Sequence, residues 1–205
     1  AGRGADGGVT PLWHAAREGH QAVVDILLGA GARVDAPTNL GGTPLTIAVQ
    51  CKHETVVDAL LHAGARVNAE RNDGVTSLMV AAACGHETVV ATLLQAGASV
   101  NHVSHSGETP LINAAAFGHV LTIKALLQAG AELEKARPSD GLTPLMAAVQ
   151  GGYLAAVETL MAAGAAVNMP MNDGVTPLAA ALCNRHGDMI QALLRRGATI
   201  NGGSR

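Results

Sequence analysis

Aromatic residues are almost missing from the sequence: Trp, Tyr and Phe each occur once among its 205 residues. Only 14% of the residues are charged, and the formal net charge is −3. A protein that binds nucleic acid normally needs clustered Lys and Arg for the phosphates and aromatic rings on which bases stack. We therefore expect no nucleic-acid partner, and nucleic-acid or nucleotide recognition is only the weakest alternative.

Long apolar runs are missing too, although apolar residues make up 48% of the chain. Gly, Thr, Asn or a charged residue interrupts every run, so none approaches the roughly 18 residues that span a bilayer. We expect a soluble domain with no membrane contact. Residues 1–8 lack the basic and apolar regions of a signal peptide. The chain also has no initial Met, which suggests an excised piece of a longer protein.

Cysteine is scarce and odd in number, with three residues. Cys51 and Cys84 occupy equivalent places in two similar segments of the sequence. If those segments stack as helices, they lie about 8–10 Å apart, which exceeds the limit of about 7 Å between the Cα atoms of a disulfide. Free thiols are typical of an intracellular protein, so we expect a cytoplasmic location.

Groupings of catalytic or metal-binding residues are not found either. No carboxylate pair, nucleophile beside a base, or metal cluster occurs at corresponding positions. Gly2, Gly4 and Gly7 have the spacing of a dinucleotide-binding loop, but no strand precedes them. His102 and His105 have a ligand-like spacing, yet a zinc site needs three or four ligands. We expect no enzyme activity, no cofactor and no metal.

The sequence does contain one motif that is repeated six times. Its Thr recurs at intervals of 33, 33, 33, 34 and 33 residues, at Thr10, Thr43, Thr76, Thr109, Thr143 and Thr176. A fixed period of this length indicates a stacked repeat protein. In five copies the Thr precedes Pro, which predicts a helix that begins with a Thr cap. A second helix with an apolar stripe follows each first helix.

The turn between the two helices also has a recurring composition. Gly ends the first helix in four copies, whereas Lys52 and Arg185 take that place in the other two. A His follows in five copies, with Tyr153 in the remaining one. Because repeats separate these rings by a stacking distance, two of them cannot share a zinc ion. We predict instead that each ring bonds to turn backbone: His20, His53, His86, His119 and His186.

Gly-x-Thr-Pro-Leu, Ala-Ala, Gly-His, Val-Val, Leu-Leu and Gly-Ala-x-Val-Asn recur in phase, and this unit resembles the ankyrin repeat. One departure is that the His that often follows Thr-Pro-Leu in the family is replaced throughout, by Trp13 in the first copy. The resemblance implies a mainly α fold, an ankyrin-repeat solenoid of six helix-turn-helix units joined by β-hairpin loops. The expected boundaries are a tail at 1–5, one domain at 6–201 with units at about 6–38, 39–71, 72–104, 105–138, 139–171 and 172–201, and a tail at 202–205.

Family members bind other proteins through the inner face formed by their first helices and through their hairpin tips. The resemblance therefore implies a monomeric, non-catalytic module that binds a protein or peptide segment. The alternative is a targeting or spacer array within a larger protein. On the inner face we expect an apolar groove suited to a partner segment. The other interpretation, that these side chains pack into neighbouring repeats, stays open: Ile47, Cys51, Val80, Cys84 and Phe117.

Further contact residues are expected around this groove. The polar inner-face candidates are His14, Arg17, Gln50, Asn113 and Gln150. The candidates at the hairpin tips are Leu40, Val75, Glu108 and Leu142. Trp13 has two interpretations, because Trp is enriched at binding hot spots, whereas a lone Trp in a first repeat also covers the exposed end of a core. The second interpretation is favoured.

The resemblance also implies a modification site. Asn68, Asn101 and Asn168, together with Asn201, match the hairpin Asn that an oxygen-dependent asparaginyl hydroxylase modifies in related proteins. The simpler interpretation is that each Asn caps a turn, and it is favoured.

Overall fold

The computed structural model describes residues 7–200. The expected tails at 1–5 and 202–205, and Asn201, lie outside this range. Within it the chain forms twelve short helices: α1 (Pro11–Glu18), α2 (Gln21–Gly29), α3 (Pro44–Gln50), α4 (Glu54–His62), α5 (Ser77–Cys84), α6 (Glu87–Gln95), α7 (Pro110–Ala116), α8 (Val120–Gln128), α9 (Pro144–Gln150), α10 (Leu154–Ala162), α11 (Pro177–Cys183) and α12 (Gly187–Arg195).

Each odd-numbered helix begins at one of the recurring threonines, as predicted. The Thr is in an extended conformation, and its hydroxyl accepts a hydrogen bond from the backbone N–H three residues on. Thr10 Oγ1, for example, lies 3.2 Å from the amide nitrogen of Trp13. The hydroxyl satisfies one of the amides that have no partner within the helix, which stabilises the helix by about 1 kcal/mol.

The first helices end in a left-handed turn, also as predicted. Gly19 and Gly85 have φ of 72° and 69°, values that glycine reaches without steric cost. Lys52 and Arg185 occupy the same turn with φ of 59° and 57°. A side chain in this conformation costs roughly 1–2 kcal/mol, so these two turns are strained.

The helices pack in two rows. Each odd-numbered helix contacts the even-numbered helix that follows it and the next odd-numbered helix, and the even-numbered helices form the second row. Fully buried alanines such as Ala48, Ala81 and Ala114 let the first row pack closely. The second row is more open, with clefts of about 560 Å³ between α8 and α10 and about 380 Å³ between α10 and α12.

The loops that join one helix pair to the next contain tight turns. Asp73 Oδ1 accepts a hydrogen bond from the Val75 amide at 3.1 Å, and Asp173 Oδ1 accepts one from the Val175 amide at 3.0 Å. One antiparallel β-bridge, between Glu70 and Thr76, is found between residues 7 and 200. Backbone hydrogen bonds also cross other loops, as from the Ser104 amide to the Glu108 carbonyl oxygen at 3.0 Å. These loops therefore turn sharply, as Asp-Gly predicts, and their pairing is too short for the β-strands of the expected hairpins.

The longest of these loops, between α8 and α9, contains the extra residue of the 34-residue interval. Arg137 stabilises it: the guanidinium donates to both carboxylate oxygens of Asp140, at 3.0 and 2.6 Å. It also lies 3.4 Å from Glu108 in the preceding loop. The hydrogen bonds from Arg137 lower the pKa of Asp140 to about 2. The insertion is therefore accommodated in a loop, as predicted, and is fixed there by an ion-pair network.

Candidate functional site

The residues expected to form an apolar groove lie on α3 and α5 and directly after α3 and α7. Phe117 is 54% exposed, and the thiols of Cys51 and Cys84 are exposed as well. Ile47 and Val80 are half-buried and pack against the core. Both interpretations of this surface thus describe part of it, because two of the five side chains support the neighbouring repeats while three face outward.

The polar residues around this surface are held by local contacts. The Arg17 guanidinium lies 2.7 Å from Glu18, and the Asn113 amide donates to the Met79 carbonyl oxygen at 3.5 Å. The side-chain amide of Gln150 lies 3.3 Å from the sulfur of Met171. His14 is exposed, and its ring meets that of Trp13 edge-on at 5.6 Å. These side chains are available at the edge of the groove.

One position that the sequence assigned to the surface is buried instead. Leu142, predicted at a hairpin tip, is only 6% exposed and belongs to the core. Its amide donates to Asp140 and its carbonyl oxygen accepts from the Arg137 amide. Val75 makes the same two contacts with Asp73 and Arg71 but is half-buried. The prediction that Leu142 is exposed at a loop tip is wrong.

The other loop candidates differ in their surroundings. Leu40 is the most exposed of them, at 71%. Val75 is half-buried, and Glu108 is partly engaged by Arg137. Successive loops are joined through their backbones, since the Asn72 amide donates to the Leu40 carbonyl oxygen at 3.1 Å. Leu40 is therefore an exposed apolar side chain on a loop whose backbone is fixed.

Four of the predicted contact residues meet in one depression, which we call the α1–α3 cleft. It encloses about 150 Å³ and is lined by side chains of α1 and α3 and of the loops that precede α3 and α5. The complete lining is Trp13, Thr38, Leu40, Gly42, Thr46, Ile47, Gln50 and Arg71. Sequence reasoning did not select Thr38, Gly42, Thr46 and Arg71. The repeat pattern could have indicated them. When the units stack, the loop that leads into a first helix lies beside the first helix of the preceding unit.

Trp13 is half-buried and lines the cleft toward α3. The interpretation that it covers an exposed end of the core stays a prediction. Thr46 occupies the position in α3 that Trp13 occupies in α1, three residues after the capping Thr. The Thr46 hydroxyl lies 3.4 Å from that of Ser77 in α5, so this side chain points toward the next first helix. The Arg17 guanidinium lies 5.7 Å from the centre of the Trp13 ring, within the range of a cation–π contact.

Three of the five turn histidines bond to backbone, as predicted: His53, His86 and His119. Nε2 of His53 lies 2.9 Å from the carbonyl oxygen of Arg17, and Nε2 of His119 lies 2.9 Å from that of Ala83. A carbonyl oxygen can only accept, so Nε2 carries the proton. Each of these three rings links its own turn to the end of the preceding first helix. The prediction does not hold for His186, whose Nδ1 is buried without a hydrogen-bond partner within residues 7–200.

The three cysteines form no disulfide. Cys51, Cys84 and Cys183 are free thiols. Burial, and to a smaller extent the neighbouring Cys51, raise the pKa of Cys84, so this thiol is protonated at neutral pH. Across the described part of the chain, no group of three or more His, Cys, Asp or Glu side chains is placed to hold a metal ion.

The asparagines expected to be hydroxylation sites form a ladder between successive loops. The Asn101 side-chain amide donates to the Gly130 carbonyl oxygen at 3.0 Å, and its oxygen accepts from the Glu132 amide at 2.7 Å. Asn68 and Asn168 make the same two contacts, each with backbone groups of the repeat that follows its own. Each Asn thus joins two repeats rather than capping its own turn. Hydroxylation at these positions stays a prediction.

Comparison with known protein families agrees with this architecture. A family model described as ankyrin repeats (3 copies) matches residues 2–71, 67–137 and 131–203, which together span nearly the whole chain. The chain belongs to the ankyrin-repeat family. A search of curated proteins gives no match. Ankyrin repeats generally act as protein–protein interaction modules and are typically non-enzymatic. Between residues 7 and 200, no helix has the length and apolar character needed to cross a bilayer.

Proposed function

We propose that this ankyrin-repeat chain is a monomeric, non-catalytic module that binds a segment of another protein. Its six helix-turn-helix units would present the partner with the inner face of the first helices and with the loop tips. Neither nucleic acid nor a membrane is expected as a partner. The proposal requires a surface that is apolar, exposed and continuous across several repeats.

The observation that supports it is the row of outward-facing side chains on α3, α5 and α7. The opposite sides of these helices are buried in the core, whereas Cys51, Cys84 and Phe117 remain exposed. Ile47 and Val80, four residues before Cys51 and Cys84, are half-buried. Apolar groups that stay exposed in register on neighbouring helices are typical of a surface that a partner covers.

Polar groups at the edge of this row would orient the partner. Gln50 and Gln150 are exposed, and Asn113 is partly so. An apolar centre with a polar edge is the usual arrangement of a protein interface. Such a surface suits an extended or helical peptide that buries apolar side chains against the first helices.

A display library of random 12-residue peptides tests this proposal. Peptides selected on the wild-type chain would be measured for binding to a Cys84→Glu, Phe117→Glu double variant, because both side chains are exposed and their replacement leaves the core intact. A matched control is Leu121→Glu, which changes a 59% exposed Leu on α8. Circular dichroism would check that all three proteins are equally folded.

We expect the double variant to weaken binding by at least tenfold and the control to leave it unchanged. Equal binding by the wild type and the double variant would show that the inner face is not the site. Failure to select any peptide would favour the spacer alternative.

A further inference from the structure

We propose that the α1–α3 cleft is a specificity pocket that takes one bulky apolar side chain of the partner, next to an Asp or Glu of the same segment. This inference rests on the proposed function, since it names the partner chemistry at one end of the same inner face. It is carried by the lining of the cleft and by the state of Arg71.

The size and lining of the cleft define the first part of the ligand. Its volume of about 150 Å³ is below the roughly 300–1,000 Å³ of pockets that enclose small molecules and cofactors. Trp13, Leu40 and Ile47 supply apolar walls from three separate elements. A space of this size between apolar walls accommodates a single large side chain rather than a whole helix or a cofactor.

The charge of the cleft defines the second part. Arg71 is the charged residue of the lining, and no acidic side chain lines the cleft with it. Its Nη2 is 3.1 Å from Asp73, and the side chain is 33% exposed. Nε is buried without a hydrogen-bond partner within residues 7–200, so it is not accessible to a ligand. A guanidinium has five N–H donors, so the exposed part of Arg71 retains capacity for an acceptor. A carboxylate matches that group in both charge and geometry.

Arg137, at the corresponding place in a later loop, differs from Arg71 in how its guanidinium is paired. Arg137 donates through Nε and Nη2 to Asp140 and lies close to Glu108. Its donors are therefore used within the fold. Arg71 has one acidic neighbour and lies against an apolar depression instead. The cleft thus combines an apolar pocket with an incompletely paired cation, which is complementary to an apolar residue beside an acidic one.

The cleft also contains its own reporter, because Trp13 is the single Trp of the chain. A side chain that enters the cleft replaces water at the half-buried indole, so it changes the intensity or wavelength of the intrinsic fluorescence. Peptides bound elsewhere on the surface leave this emission unchanged. Binding at the cleft is therefore distinguishable from binding at the rest of the inner face.

The test uses the same library of random 12-residue peptides, selected in parallel on the wild type, Arg71→Gln and Leu40→Glu. Leu40 is exposed, so its replacement does not disturb the core, and the new carboxylate repels an acidic ligand. Matched controls are Arg66→Gln, an exposed loop Arg outside the cleft, and Leu121→Glu. Circular dichroism confirms folding, and selected peptides are synthesised and titrated while Trp13 emission is recorded.

We expect wild-type selection to enrich a large apolar residue beside Asp or Glu, and these peptides to change Trp13 emission. Arg71→Gln should weaken them about tenfold and lose the acidic preference, Leu40→Glu should weaken them at least as much, and the controls should match the wild type. If the enriched peptides show no acidic preference, or leave Trp13 emission unchanged, the proposal that the cleft is a specificity pocket is refuted, while the proposed function stays intact. If no peptide is enriched, both proposals fail.

Discussion

Replacing Asn101 with Ala tests how neighbouring repeats are held together. The side chain bonds the Gly130 carbonyl oxygen at 3.0 Å and the Glu132 amide at 2.7 Å, so two backbone groups at the end of α8 lose their partner. A typical hydrogen bond contributes about 0.5–1.5 kcal/mol to stability. Because Asn101 is half-buried, water replaces part of both bonds. We expect a loss of about 1.5 kcal/mol.

The measurement is urea unfolding followed by circular dichroism. With an m value of about 2 kcal/mol/M, which is usual for urea, the midpoint should fall by about 0.7 M. Asn101→Asp keeps an acceptor for the Glu132 amide but lacks the donor to Gly130, so it should lose about half as much. In a repeat protein the loss falls on the interface between two units, so a lower m value or a second transition is also expected.

A Gln95→Ala variant is the matched control, since Gln95 is exposed at the end of α6. If Asn101→Ala shifts the midpoint no more than this control does, the hydrogen-bond ladder does not couple the repeats. The bonds of Asn68 and Asn168 would then not be expected to couple their repeats either.

Three further predictions concern the turns and the long loop. Lys52→Gly should stabilise the chain by about 0.5–1 kcal/mol, because Gly removes the strain at φ of 59°, whereas Lys52→Ala should not; urea midpoints compare the two. Gly85→Ala should destabilise it by about 1–3 kcal/mol, since the added Cβ would clash with the His119 ring in a left-handed turn; an unchanged melting temperature would contradict this. Asp140 has its pKa lowered to about 2 in the folded chain, so its ion pair with Arg137 stabilises the fold above the unfolded pKa of about 4 and stops doing so as pH falls toward 2. Wild type should therefore exceed Asp140→Asn in stability at pH 6, and the difference should disappear near pH 2; a difference that does not vary with pH would refute the assignment.

Much of the fold could be read from the sequence because each repeat must meet the same backbone requirements. Thr76 caps a helix and Gly85 takes a left-handed turn for local reasons that hold in every copy. His119 was assigned to turn backbone on the same basis, although the period could not show that its partner belongs to the preceding repeat. Local chemistry thus predicts elements well, and contacts between repeats less well.

Exposure was harder to predict, because it depends on what the neighbouring repeat contributes. Leu142 immediately precedes its Thr, as Val75 does, yet Leu142 is buried and Val75 is half-buried. Leu40 lies three residues before Thr43, so it is exposed at a different position of the repeat. The period predicted where the insertion lies but not that Leu142 is buried.

Departures from the period are where a repeat protein can acquire a specific partner. Trp13 stands where later copies have Thr46 and Met79, and Arg71 stands where the preceding loop has Thr38. The periodic residues are already explained by caps, turns and core packing. A large ring that the other copies lack meets Arg71 in one depression, and Arg71 is less completely paired within the fold than Arg137 at the corresponding place. The proposed specificity pocket would account for this combination of Trp13 and Arg71.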